Sequence, residues 1–173
     1  NSWILLRALF LTFNTSHFNE YWSKIAYCLQ VNLQRFYEYL QIQKEIDSNE
    51  VLQICKTLDL LLSLGLEGFS ATNEWIFIID TINCIHRNAP FVALVDKIAE
   101  FKDFENSRTE DFELSTSGTL RIPLLMGVHK IQHYTQLRIF FHQLSYEHYE
   151  SIYGMKGMDI ESCKDDIFDD IFN

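Results

Sequence analysis

Two prolines and six glycines in 173 residues leave few of the breakers that divide an all-β chain into short strands, so the turn inventory favours helices. A basic stripe is also missing. Fourteen Lys and Arg stand against 24 Asp and Glu, for a net charge of −10, and the basic residues are scattered singly. Such a balance repels phosphate backbones and anionic headgroups, which argues against a nucleic-acid binder. The dense charge is acidic, in DIESCKDDIFDDIFN at 159–173. No apolar run reaches the length of a membrane span: WILLRALFLTF is too short and contains Arg7. No signal peptide is visible, and the expectation is a cytosolic chain. It starts at Asn1 without a methionine and with a strongly apolar helix, as a piece of something longer would.

The catalytic vocabulary is equally thin. There is no GxxxxGK[ST] loop, and the Gly-Lys neighbourhood GMKGMD at 154–159 lacks both the spacing and the hydroxyl. No GxSxG elbow exists. The four cysteines, Cys28, Cys55, Cys84 and Cys163, show no CxxC spacing, and the first three sit in apolar helical patterns, which reads as reduced, buried thiols. His129 and His133 are four apart, a spacing two metal ligands can use, but no HExxH glutamate lies between them. The expectation is no catalytic, cofactor or metal site.

What is present is a 47% hydrophobic, 14% aromatic composition, enough for one packed domain. From Phe18 to Gln43 the positions Phe18, Trp22, Ile25, Leu29, Leu33, Phe36 and Leu40 recur every three or four residues, the spacing of one helical face, with Asn14, Thr15 and Ser16 as cap. Asp47 and Glu50 have the spacing of a capping box ahead of a seam of Val51, Ile54, Cys55, Leu58, Leu61 and Leu62. That segment stops at Gly65, where a helix C-terminus needs a positive φ.

The run WIFIID at 75–80 could be a strand delivering Asp80 to a metal. However, Trp75, Ile78, Ile79, Ile82 and His86 share one side while Asp80, Asn83 and Arg87 share the other. That is a helix, with Asp80 as a surface or interhelical carboxylate. A further helix starts at Asn88, with Pro90 in its first turn, and runs through Leu94, Val95, Ile98 and Phe101. Residues 106–127 lose the pattern and read as a long loop. The last helix of the domain is placed at about 128–153, with Ile131, Tyr134, Leu137, Phe141, Leu144, His148 and Ile152 along one seam and Ile139 and Phe140 off it.

The fold expected is all-α, an irregular helical bundle or HEAT-like α-solenoid end with at least five helices. Its organisation is a helical domain over 1–153 followed by an acidic-aromatic tail over 154–173. A final helix apolar on more than one side needs a second cover, so Leu137, Phe140, Phe141 and Leu144 are candidates for a homodimer seam. DDIFDDIF repeats every four residues, stacking Ile167 on Ile171 and Phe168 on Phe172 beside a face of aspartates. The tail reads either as a frayed terminus, or as a docking peptide for a basic, apolar groove on a partner or a second copy. Folding back onto the domain is a third way to cover that final helix.

The residues QICKTLDLLLSLGLEGFSATNEWIFIIDTINCIHR, then ALVDKIAE and RIPLL, resemble the C-terminal region of Dopey family proteins, in particular the fungal members, over roughly residues 1–155. The resemblance implies a very long helical protein without enzyme activity in this region. It implies a peripheral scaffold on the cytoplasmic face of Golgi and endosome membranes, acting in transport between them. Its implied partners are a large Golgi scaffold related to Arf exchange factors and a phospholipid flippase. A phosphoinositide or membrane contact through a few clustered Lys and Arg residues is the alternative mode of action. An enzyme site assembled from distant residues is the remaining one. The leucine-zipper-like pattern of the family finds its match in the seam from Leu137 to Leu144, interrupted here by aromatic residues.

Overall fold

The computed structural model of the chain describes residues 2–66, 69, 94–102, 120–144 and 157–172. The fold is all-α. Six α-helices lie among the described residues: α1 (Ser2–Thr12), α2 (Trp22–Gln41), α3 (Ser48–Leu64), α4 (Leu94–Ala99), α5 (Arg138–Gln143) and α6 (Ile160–Phe172). The helix expected over 75–87, the start of the next at Asn88, Cys84, and the positions 145–153 with His148 and Ile152 lie outside the described residues.

α3 is the axis of the structure. Asp47 accepts hydrogen bonds from the backbone N–H groups of Asn49 (2.9 Å) and Glu50 (3.2 Å), satisfying two donors that the first turn leaves orphaned. Gly65 ends the helix at φ +60°, a left-handed conformation that costs an L side chain strain. Between these caps every residue from Val51 to Ser63 is buried. α1, α2 and the 3-10 turn Tyr134–Leu137 all pack on it.

α2 buries one stripe, Trp22, Ala26, Leu29, Leu33, Phe36 and Leu40, at alternating spacings of four and three. It begins later than the periodicity implies. Asn14 caps a separate 3-10 turn, Thr15–Phe18, through Ser16 N (3.0 Å), and Tyr21 opens α2 with no side-chain cap. Phe18 still reaches the core: its ring lies 5.0 Å from Phe10 and 5.7 Å from Trp22.

The larger correction concerns residues 128–153. Residues 120–133 form a strap across α3, and helix begins only at Tyr134, where His133 and Gln136 make a capping box. The cause is competition for backbone groups. Leu125 N–H donates to Asp59 (2.7 Å), Gly127 N–H to Asp166 (2.6 Å) and Ile131 N–H to Asn49 (3.3 Å), while Val128 C=O accepts from Lys56 Nζ (3.1 Å). These side-chain bonds hold the strap in its non-helical course. One parallel bridge, Arg121 with Met158, fastens the strap to the segment leading into α6.

Candidate functional site

Leu137, Phe140, Phe141 and Leu144, expected at an exposed seam, are fully buried in the core. Phe141 stacks on Phe36 of α2 at 6.0 Å, and its ring meets Phe140 edge-on at 5.5 Å. α4 packs on α5 and α2, so a short helix that is apolar on two sides is covered on both by its own chain. These four side chains leave no surface for a second copy to grip.

The chemistry of the fold gathers instead where α1, α3, the strap and α6 meet. Arg7 and Lys56 are 2% and 3% exposed, far from the solvated state usual for such side chains. Their partners come from α6. Lys56 Nζ lies 2.7 Å from Asp170 and 2.9 Å from Asp166, and Arg7 lies 2.8 Å from Asp170 and 3.9 Å from Asp166. Arg7 also donates to Gln53. His129 Nδ1 sits 2.7 Å from the second oxygen of Asp170. Burial pushes the Asp170 carboxyl up, but the hydrogen bond and charge of Lys56, then His129 and Arg7, outweigh it and hold the group below the usual carboxylate range.

The reason these residues meet is the four-residue spacing of Asp166 and Asp170, which places both on one face of α6 with Cys163 and Ile167 beside them. Asp159 fixes the start of that helix by accepting from Ser162 N–H (3.1 Å) and Oγ–H (2.8 Å), and these bonds lower its carboxyl below the ordinary value. From Ile160 to Phe172 the acidic tail is therefore a helix folded against α1, with its aspartates reaching Lys56 of α3. Its inner face is in use, and its outer face is open: Phe168, Ile171 and Phe172 are 60%, 55% and 71% exposed. Of the docking candidates in this segment, Ile167 is buried and the other three are free. The Phe168 and Phe172 rings lie 4.4 Å apart along the helix.

This cluster resembles a structural lock more than a reaction centre. The cavity beside Arg7, Lys56, Asp59 and Asp166 holds about 10 Å³, scarcely one water. Cys163 borders it, with its thiol pushed up to about 12 by burial and by Asp166, Asp159 and Asp59. Cys55 is raised well above the ordinary thiol value by burial and then by Asp59, so neither is poised as a thiolate nucleophile. Cys28, expected to be buried, is exposed on α2. A broad open groove of about 780 Å³ runs past Trp3, Asp47, Glu50, His129, Lys130 and Asp170. Asp47 is committed to capping α3, and Asp170 to its ion pairs. His133 caps the 3-10 turn, so the two histidines serve different structural bonds. Among the described residues no helix is long and apolar enough to cross a membrane.

Pattern reading missed the cluster because it treats polar helix positions as solvent-facing. The available signals were Arg7 inside an apolar run, Lys56 between Cys55 and Leu58, and paired aspartates at four-residue spacing.

Comparison with known proteins agrees with the residues that carry the resemblance. The family model described as DOP1 C-terminal matches residues 1–154. Protein DOP1 of Saccharomyces cerevisiae is 60% identical over 171 residues, covering 99% of this chain and 10% of the yeast protein. Protein dop1 of Emericella nidulans is 30% identical over 186 residues, covering 98% of this chain and 10% of its own length. The chain thus spans about a tenth of the length of these relatives. No solved structure matches. On this footing the chain belongs to the Dopey family and corresponds to its C-terminal region.

Proposed function

We propose that this chain is a non-catalytic interaction module of a Dopey-type protein, working on the cytoplasmic face of Golgi and endosome membranes in transport between them. The partners of this reading are a large Golgi scaffold related to Arf exchange factors and a phospholipid flippase, with α6 contributing to one of those contacts. One observation carries it: the buried titratable groups at the α1–α3–α6 junction are spent on holding α6 in place, and what α6 then shows to solvent is an acidic, aromatic face.

The test uses the full-length protein in its own cell. Phe168→Ser with Phe172→Ser is expected to leave expression unchanged, to shift the protein from Golgi and endosome membranes toward cytosol, and to reduce co-purification of the scaffold or the flippase. Unchanged distribution and unchanged partners would overturn the reading. A saturable rise in melting temperature of the 173-residue chain with ATP, GTP or a divalent metal would favour an enzyme instead. Flotation with phosphoinositide vesicles but not with neutral ones would favour direct membrane contact.

A further inference from the structure

The repeat DDIFDDIF writes the same four-residue motif twice, and on a helix it produces two acidic rows. The second aspartate of each unit, Asp166 and Asp170, faces inward and meets Arg7 and Lys56. The first aspartate of each unit, Asp165 and Asp169, is exposed on the opposite side, beside Phe168 and Phe172. The inner row shows what satisfies this pattern: cationic side chains rising from apolar helices, α1 and α3. Among the described residues no cation pairs with the outer row. Lys164, the basic residue on α6, is held by Glu161 at 2.6 Å.

We propose that the outer face of α6 docks an amphipathic helix of a partner protein whose apolar stripe is flanked by Arg or Lys. Phe168, Ile171 and Phe172 supply the apolar contact, and Asp165 and Asp169 pair with the flanking cations. The charge on this face decides the occupant. A second copy of α6 would bring aspartates against aspartates, and an anionic lipid surface would be repelled in the same way. A basic helix gains on both counts, the helix-on-helix mode of recognition with charge setting the register. This inference deepens the interaction-module reading and rests on it.

The probe is a fluorescein-labelled helical peptide carrying Arg four residues apart beside a Leu and Phe stripe, titrated into the 173-residue chain and read by anisotropy. Saturable, salt-sensitive binding is expected. It should weaken at least about tenfold with Asp165→Asn plus Asp169→Asn, and more with Phe168→Ser plus Phe172→Ser, the melting temperature of both variants staying that of the parent. Absence of saturable binding, binding indifferent to those substitutions, or equal binding of the peptide with Glu in place of Arg would each overturn the proposal. So would Phe168-dependent capture by phosphatidylcholine vesicles in place of the peptide. If the peptide fails while Phe168→Ser plus Phe172→Ser still releases the full-length protein from membranes, the partner chemistry falls and the interaction module stands. If the peptide binds as expected but the full-length variant stays in place, the surface stands and its role in traffic falls.

Discussion

α2 and α3 are neighbours of similar length with opposite relations to solvent. α2 buries one stripe and leaves the rest half-buried or exposed, so removing apolar periodicity from its sequence would remove its reason to be there. α3 is buried on every side, and its polar positions Gln53, Lys56, Thr57, Asp59 and Ser63 lie inside with its leucines. The difference is made by elements remote in sequence: α1, the strap and α6 cover the side of α3 that an isolated helix would give to water. Polarity on a helix face marks solvent only when nothing else in the chain carries the complementary charge.

The widest gap between the two helices is expected for charge deletion. Lys56→Ala takes the ammonium away from Asp166 and Asp170, leaving them Arg7, the Gly127 N–H and His129, and should destabilise the chain by about 3–5 kcal/mol in urea or thermal unfolding. A loss under about 1 kcal/mol would mean that water already screens the cluster. Replacing the fully buried Leu58 by Ala is expected to cost about 2–5 kcal/mol through lost contacts and the cavity left behind.

Acid should weaken the α3 side selectively. Asp170 has a lowered folded value, so its contribution is fully present above the unfolded carboxylate range near pH ~4 and is lost as pH falls through the folded value. The melting temperature is therefore expected to fall on acidification below that range, and Asp170→Asn should flatten this acid limb while lowering stability at neutral pH. An acid limb as steep in the variant as in the parent would remove Asp170 as its source.

Smaller effects sharpen the same contrast at the helix ends and surfaces. Asp47→Ala removes the α3 cap and should cost about 1 kcal/mol. On the open side of α2, Glu38→Ala, which loses a contact with Gln34 at 3.2 Å, should change stability by less than about 0.5 kcal/mol.

What could be read from the sequence follows the same division. The apolar stripe of α2, the Asp47 cap and the Gly65 stop are local signals, and each is found where its chemistry places it. The start of α2 slipped because Asn14 caps a 3-10 turn whose residues also supply Phe18 to the core. The helix expected from residue 128 was displaced by tertiary hydrogen bonds from Asp59, Asp166, Asn49 and Lys56, which no window around residues 128–133 contains. The same blindness turned Phe140 and Phe141 into candidate surface residues. Their cover, α2 and α4, lies far upstream.

The ion pair between Arg7 and Asp170 joins residues 163 positions apart, which gives it a place in time as well as in space. At the roughly 5–20 residues per second of synthesis, some 8–30 s separate the emergence of the guanidinium from that of its carboxylate. Throughout that interval α1 and α3 carry two cations without the carboxylates of α6 that pair with them, and closing so long a loop adds its own entropic cost. The pairs of Arg7 and Lys56 with Asp166 and Asp170 therefore form only after α1 and α3 have emerged, and a chain stalled ahead of the acidic repeat would carry both helices without those partners.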